Sequence, residues 1–352
     1  MKIGKTIAGL MDQVEEEARG KKDFVAETRA LKLVTDEQDV LGLQINGHGR
    51  FGVSQICHEQ MASRLAIPQK YYDRMKAESP YLLINNVNHW FGAKPEKRLV
   101  RTLAGNARAF LSDRYRPMDH FDLLEAVIPK IKGSGCRIES CEVTERRIYI
   151  KAITERVTAN IAKGDVVQAG IVVSNSEVGC GSVRIEPLLY RLVCLNGMIA
   201  NDFAMRKYHV GRAGEEFGED GASVFYRNET RIADDKAFWM KVSDTVDATL
   251  DRDRFQKIAD RFRATKENVI TGDIPAVVEL AATRFGMSDA ERAKVLHNLI
   301  HDGELSQFGL ANAVTRTSQE IEDYDRATEF ERMGWEVVQL PNRDWEKIAN
   351  AN

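Results

Sequence analysis

The sequence predicts an α+β fold, in which a central antiparallel sheet built of hairpins is followed by a helix and then by a helical C-terminal region. Residues 147–152 alternate polar and apolar side chains, the period typical of a half-buried strand. Residues 166–174 are apolar and β-branched on both faces, which predicts an interior strand. After residue 223, apolar side chains recur at helical spacing.

The strand-rich core is predicted to contain two hairpins and one helix. Its strands are placed at 136–138, 147–152, 166–174 and 182–186. Pro187 suits the first turn of a helix, where a missing N–H is tolerated. Leu188, Leu192 and Leu195 then recur at helical spacing, and Asn196-Gly197 supplies the left-handed conformation that ends a helix.

Further elements are predicted on both sides of this core. Before it, the patterns indicate a helix over 3–19, a hairpin formed by 29–35 and 40–45, two short helices within 51–75, strands at 99–103 and 107–111, and a helix that starts at Asp119. Ser54 and Pro68 suit the starts of the two short helices, whose spacing resembles a helix-turn-helix. After the core, they indicate helices within 234–262, from the Ser288 capping box to about His301 and over 312–330, with a final strand at 335–340.

These elements divide the chain into four regions. Residues 1–84 form an N-terminal hairpin and helix-turn-helix-like segment, and residues 85–210 form the strand-rich core with a basic face. Residues 211–222 are predicted to be a flexible, acidic, glycine-rich loop. Residues 223–352 form a mainly helical C-terminal region.

Composition indicates a globular protein of the cytoplasm. The chain has 352 residues, of which 43% are hydrophobic and 29% charged. No run of 18 apolar residues occurs, so no membrane contact is expected, and the N-terminal residues lack the apolar segment of a signal peptide. Five cysteines, an odd number, argue against a secreted disulfide framework.

The sequence contains no strong catalytic signature. It has no GxxxxGKS/T phosphate loop, no GxGxxG after a strand and no GxSxG elbow, and its cysteine and histidine spacings do not match a zinc ribbon. Asp119, His120 and Asp122 could hold a cation, although a cap for the helix that carries Asp122 is the favoured interpretation of Asp119. We therefore expect no cofactor and no bound metal, and an enzymatic function is not favoured.

Charge is sorted along the chain. Between Lys94 and Lys163 there are 15 basic and 9 acidic residues, whereas from Arg212 to Asp235 there are 3 basic and 7 acidic residues. The formal net charge of the whole chain is −3. Such a separation of basic from acidic residues is typical of a grooved binding surface, although it also arises by chance on solvated surfaces.

The basic region has the composition of a single-strand binding surface, on which cationic side chains follow phosphates and aromatic rings stack on bases. Arg147, Tyr149 and Lys151 are expected on one face of a strand, at intervals of about 7 Å. The predicted nucleic-acid-binding residues are Arg98, Arg101, Arg108, Arg114, Tyr115, Arg116, Arg147, Tyr149, Lys151, Arg184 and Arg191. The alternative interpretation is a solvated strand face with arginines paired to neighbouring carboxylates.

Several blocks of sequence resemble a known family. They are FGVSQICHEQMASRLAIPQKYYDRM, RAFLSDRYRPMDHFDLL, LLYRLVCLNGM and LANAVTRTSQEIEDYD, and the resemblance extends over about 51–340. The chain resembles the phage- and plasmid-encoded proteins grouped as domain of unknown function 932. The resemblance implies a mobile-element setting and supplies no catalytic residues. The order of hairpins and helix is also similar to the core of the Rad52-type single-strand annealing proteins, a likeness of fold alone.

The sequence thus favours a non-enzymatic protein that binds single-stranded nucleic acid in the recombination or replication of a phage or plasmid. A homo-oligomer is expected, because the edges of a four-stranded sheet need to be covered. Two alternatives stay open. One is an interaction factor for a host or defence protein, with the contact on the acidic loop or the C-terminal helices. The other is a metal-dependent nuclease.

Overall fold

The computed structural model describes residues 1–200, the backbone of 205–207, and residues 228–352 with side chains from residue 236 onwards. The predicted acidic loop at 211–222 lies outside these residues. In the described part of the chain, the helices are α1 (Ile7–Gly20), α2 (Gln55–Arg64), α3 (Gln69–Glu78), α4 (Pro80–Ala93), α5 (His120–Gly133), α6 (Asn228–Thr249), α7 (Arg252–Ala264), α8 (Ile274–Phe285), α9 (Asp289–Asp302), α10 (Gln307–Thr317), α11 (Tyr324–Val338) and α12 (Asn342–Ala349). None of them has both the length and the apolar character needed to cross a membrane.

The strands are β1 (Lys21–Glu27), β2 (Leu31–Thr35), β3 (Leu41–Ile45), β4 (Gly49–Val53), β5 (Lys97–Leu103), β6 (Asn106–Ser112), β7 (Arg137–Val143), β8 (Ile148–Ala162), β9 (Asp165–Asn175), β10 (Val183–Arg191), β11 (Asn196–Ile199) and β12 (Met205–Lys207). They form two sheets. Together with the helices, these sheets confirm the predicted α+β class and its helical C-terminal region.

The first sheet has the strand order β1-β5-β6-β4-β3-β2 and combines strands from both sides of residue 84. Its neighbours are antiparallel except for β4 and β6, which run parallel. Helices α2, α3 and α4 supply Met61, Tyr72 and Phe91 to the core beneath it, where they pack with Leu33 and Val100 of the sheet. The predicted hairpin of 29–35 with 40–45 is confirmed, and so are the strands predicted at 99–103 and 107–111.

The two predicted short helices are confirmed as α2 and α3. The Ser54 side chain accepts a hydrogen bond from the Cys57 N–H, as its position before a helix predicts. Between the helices, Ala66 adopts the left-handed conformation with φ +54°. That turn lets Ile67 reach the core, and Pro68 occupies the N-cap position directly before α3.

The second sheet has the order β11-β10-β9-β8-β7, with β12 paired to β10. Strand β9 lies in its middle and is buried on both faces, so the predicted interior strand is confirmed. Ile148, Ile150 and Ala152 of β8 face the core shared with α1, α5 and α6. Farther along, β8 and β9 face a second core formed with α7 to α12, so the sheet lies between two helical layers.

The helix predicted at 187–197 is wrong, because this segment forms β10 and β11. Leu188 to Arg191 pair with β11, and Val183 to Ile185 pair with β12. Pro187 falls between these two pairings, where its missing N–H interrupts no ladder on that side. Its carbonyl accepts from the Ala200 N–H at 2.9 Å.

The C-terminal predictions are confirmed in part. Ser288 and Glu291 form the expected capping box at the start of α9, and Gly303 follows its end. The single helix predicted over 312–330 is wrong, since α10 ends at Thr317 and α11 begins after the Asp323 cap. The strand predicted at 335–340 is also wrong, because α11 continues to Val338 and packs its apolar side chains into the helical core.

Candidate ligand-binding cleft between the two sheets

The loop between β9 and β10, residues 176–182, is anchored against the first sheet. Gln60 Nε2 of α2 donates to the Val178 carbonyl at 2.7 Å. Tyr115, in the loop before α5, donates its hydroxyl to the Ser176 carbonyl at 3.1 Å. Asn175 Nδ2 donates to the Met118 carbonyl at 2.7 Å. These contacts hold the 176–182 loop at the junction of the two sheets.

Glu177 of this loop is only 1% exposed and is surrounded by donors. Its Oε1 pairs with Lys21 Nζ and accepts from the His120 backbone N–H at 2.6 Å, while its Oε2 pairs with Arg108 Nη2. Burial opposes its ionisation, but His120, Arg108 and Lys21 hold the pKa of Glu177 well below its usual range. Glu177 is therefore a buried carboxylate that is fully engaged by β1, β6 and α5.

Arg101 extends the same network and is also buried. Its Nε lies 3.1 Å from both carboxylate oxygens of Asp23, its Nη2 donates to Asp119 at 2.7 Å, and its Nη1 donates to the Glu177 carbonyl at 3.0 Å. Burial opposes its charge, yet Asp119 and Asp23 raise the pKa of Arg101 above its ordinary value. The charged guanidinium therefore cross-links β1, β5 and the start of α5.

A cleft of about 500 Å³ opens beside this network. Its lining comes from α1, the first sheet, the starts of α2 and α5, the turn between β7 and β8, and the 176–182 loop. Among the residues that line the cleft are Ser54, Ile56, Leu103, Asn106, Arg108, His120, Arg146, Glu177 and Val178. The volume lies within the range of small-molecule sites.

Two groups in the cleft have unsatisfied hydrogen-bonding atoms. Neither ring nitrogen of His120 has a hydrogen-bond partner in the described part of the chain, although the side chain is only 3% exposed. Arg108 Nε is likewise buried and unpartnered there. Burial lowers the pKa of His120 to about 4, more than Glu177 raises it, so the imidazole is neutral at pH 7.

Residues 109–330 match the family model described as a domain of unknown function (DUF932). The chain belongs to this family. The matched region includes His120, Arg146 and the 176–182 loop, while Arg108 and the first strands precede it. No curated protein and no solved structure matches the chain.

In this DUF932 protein, several of the predicted binding residues converge on the 176–182 loop. Arg101 and Arg108 contact Glu177, and Tyr115 contacts Ser176. Arg147 donates through Nη2 to the Cys180 carbonyl. Arg114 and Arg116 flank Tyr115 on the loop that leads to α5. Four residues selected from the sequence therefore contact the 176–182 loop. The sequence did not show that Glu177 binds two of them, Arg101 and Arg108.

The expected exposed row of Arg147, Tyr149 and Lys151 is wrong. Tyr149 is 2% exposed and donates its hydroxyl to Asp325 at 2.7 Å, and Lys151 is fully buried and pairs with Glu331 at 2.6 Å. Helix α11 covers this face of β8 with acidic side chains. A period of two identifies the two faces of a strand, but it does not show whether a later helix covers the polar one.

Three further predicted residues lie away from the cleft lining. Arg98 is buried and pairs with Glu96 at 2.6 Å. Arg191 makes two 2.8 Å hydrogen bonds to Asp165. Arg184 is half-buried on β10, opposite Ser174 of β9. The prediction that Arg98 and Arg191 face a polynucleotide is therefore wrong, because each pairs with a carboxylate of the protein itself.

Sequence reasoning did not select Lys21, Glu177 or Arg146. Glu177 had one available signal, since it is a lone carboxylate in a glycine- and serine-rich turn after a strand that is apolar on both faces.

The cation site considered at Asp119, His120 and Asp122 is a separate question. Asp119 pairs with Arg101, and its side chain makes no capping hydrogen bond to α5. The described residues contain no group of three or more His, Cys, Asp or Glu side chains arranged to hold a metal ion.

Proposed function

We propose that this protein binds single-stranded nucleic acid without catalysing a reaction, with the strand passing the mouth of the cleft. The observation that carries the proposal is the convergence of arginines on the 176–182 loop beside unsatisfied donors. Arg108 lines the cleft and pairs with Glu177. Arg146 lies at the cleft mouth with its side chain 48% exposed, 3.4 Å from Glu59, and Arg147 contacts the loop itself. Guanidinium groups are well suited to phosphate contacts.

The proposed path of the strand follows the junction between the two sheets, not the face of β8. The proposed surface does not include Tyr149, Lys151, Arg98 and Arg191, because none of them lines the cleft and their polar atoms bind carboxylates elsewhere in the protein. Of the arginines around the cleft, Arg108 belongs to β6, whereas Arg146 and Arg147 belong to the turn between β7 and β8. Binding residues are most often found on such loops and turns.

The setting we propose is the recombination or replication of a phage or plasmid, as the resemblance to mobile-element proteins implies. We also propose a homo-oligomer. Strand β1 lies at the edge of the first sheet and exposes Val25, a surface suited to pairing with another copy. The opposite edge is protected, because the Asn88 amide hydrogen-bonds both the N–H and the carbonyl of Leu33 in β2.

Fluorescence anisotropy with a labelled single-stranded oligonucleotide tests the binding. We expect affinity to fall steeply between about 50 and about 200 mM salt, with a log–log slope of about −0.7 for each phosphate contact. Arg146→Glu should weaken binding about tenfold or more, because it reverses the charge at the cleft mouth. Lys32→Glu makes the same charge change at an exposed position on β2 and should have little effect. Absence of binding by the unaltered protein at low salt would overturn the proposal.

A protein-interaction function is the second candidate, favoured by apolar side chains exposed on α4. Tyr81 is 76% exposed and Trp90 is 39% exposed. A protein complex that withstands nuclease treatment and is lost in Tyr81→Ser would favour this candidate. A complex removed by nuclease would favour the nucleic-acid function instead.

A further inference from the structure

We infer that the inner part of the cleft is a pocket for a single nucleobase, with Arg108 and His120 hydrogen-bonding the polar edge of the base. The inference depends on the proposed function only for the source of the base, which would be a nucleotide turned out of the bound strand. A free nucleotide would use the same chemistry.

The hydrogen-bonding capacity of the pocket is specific and unsatisfied. A neutral imidazole provides one donor and one acceptor, and Arg108 Nε provides a second donor. The nearest carboxylate oxygen to His120 is Glu177 Oε1, which lies 3.7 Å from Nδ1, beyond hydrogen-bond distance. Buried side-chain nitrogens almost always have a partner, so three such atoms on two residues of the cleft lining indicate that a ligand supplies the partners.

The charges next to these atoms favour a neutral ligand. Lys21 and Arg108 are both paired with Glu177, and Arg101 is paired with Asp23 and Asp119. Because each of these cations already faces a carboxylate, little positive charge is left to hold a phosphate at this depth. A nucleobase carries donors and acceptors along one edge without a net charge, which matches the unsatisfied atoms.

The walls of the cleft match the faces of a base. Ile56, Leu103 and Val178 supply apolar surface, and Ser54 and Asn106 add polar groups to the lining. Planar bases are bound elsewhere by this combination of apolar contact with the ring faces and hydrogen bonds to the edge. With a base inside, the attached sugar and phosphate would point toward Arg146 at the mouth.

Isothermal titration of the full-length protein with the four ribonucleoside monophosphates and with ribose 5-phosphate tests the inference. We expect at least one nucleotide to bind, and ribose 5-phosphate to bind at least tenfold more weakly because it lacks the base. Equal binding of ribose 5-phosphate would identify a phosphate site and overturn the inference.

His120→Leu provides the sharper test, because it keeps a similar volume and removes both ring nitrogens. If these nitrogens serve a ligand, the variant should lose nucleotide binding at least tenfold while its melting temperature stays the same or rises. His58→Leu is the matched control. His58 is equally buried, but its Nδ1 is satisfied by the Tyr72 hydroxyl at 2.8 Å, so this variant should melt earlier and still bind. Unchanged nucleotide affinity in His120→Leu would refute the role of His120.

A second variant keeps the test decisive if His120→Leu does not fold. Leu103 is a half-buried wall residue, and Leu103→Trp fills the pocket without altering the ion pairs. It should abolish nucleotide binding. An oligonucleotide that binds while no nucleotide does would refute the base pocket and leave the proposed function intact. Nucleotides that bind while no oligonucleotide does would refute the proposed function and leave the pocket intact.

Discussion

Lys151 Nζ lies 2.6 Å from Glu331 Oε2, and neither side chain is accessible to solvent. The pair joins β8 to α11, and two neighbouring contacts repeat the arrangement. Tyr149 donates to Asp325, and Arg332 makes hydrogen bonds of 2.6 and 3.2 Å to Glu186 of β10. The polar face of the second sheet is therefore buried against a helix with matching polar groups.

Replacing one member of this pair should be severely destabilising. Lys151→Met leaves the Glu331 carboxylate buried without its cation, and the expected loss is about 3–5 kcal/mol in the free energy of unfolding. Urea denaturation followed by circular dichroism measures it. A loss below about 1 kcal/mol would mean that water reaches Glu331.

The double variant Lys151→Met/Glu331→Gln controls for the lost packing of lysine. A neutral glutamine can still accept from the Lys2 N–H, which donates to Glu331 at 3.0 Å. The double variant should therefore be more stable than Lys151→Met alone. Arg74→Ala breaks the exposed pair with Glu78 and should cost less than about 0.5 kcal/mol.

Two buried histidines should make folding stability depend on pH. Burial lowers the pKa of both His58 and His120 to about 4, below the ordinary value of 6.5. The unfolded chain therefore binds protons that the native state does not bind between these values, and stability falls as the pH decreases through that window. From pH 7 to about pH 4.5 the expected loss is roughly 2–3 kcal/mol for each histidine.

Urea unfolding at several pH values measures this loss. His120→Leu removes one of the two titrating groups, so its stability should vary less steeply with pH than that of the unaltered protein. Glu177 adds a further loss of folding stability, mainly at lower pH. Its pKa in the native state is lowered, so the stability that the ionised carboxylate contributes is lost as the carboxylate becomes protonated. Imidazole resonances assigned to His58 or His120 that titrate near pH 6.5 in the folded protein would contradict the prediction.

Ala66→Gly should stabilise the protein. Ala66 is exposed and holds φ at +54°, a conformation that costs an L-residue about 1–2 kcal/mol and glycine very little. After the greater entropy of glycine in the unfolded chain is counted, we expect a gain of about 0.5 kcal/mol. Ala18→Gly, at an exposed position inside α1, is the matched control and should lose up to about 1 kcal/mol. Thermal melts that show equal losses for both variants would contradict the prediction.

Elements governed by local chemistry were predictable from the sequence. The Ser54 cap and the Ser288–Glu291 capping box depend on residues within one helical turn, and both are confirmed. Strand β9 was recognisable because a run that is apolar on both faces is typical of an interior strand. These signals need no knowledge of distant parts of the chain.

The wrong predictions concern residues whose structure depends on segments that are distant in the sequence. Pro187 suits a helix start locally, but it is accommodated in β10 because β11 and β12 pair on either side of it. Lys151 belongs to a polar strand face that Glu331, 180 residues later, covers. Glu177 lies at the centre of a hydrogen-bond network whose partners come from β1, β6 and α5, which are distant from it in the sequence. No local pattern contains these pairings.

Amide hydrogen exchange with and without a saturating single-stranded oligonucleotide tests most directly whether the cleft is the binding site. The account predicts slower exchange in the loops at 112–118, 144–147 and 176–182, and unchanged exchange in α8 and α9, which belong to the C-terminal helical layer. Protection confined to the C-terminal helices, or no protection in any of the three loops, would contradict it.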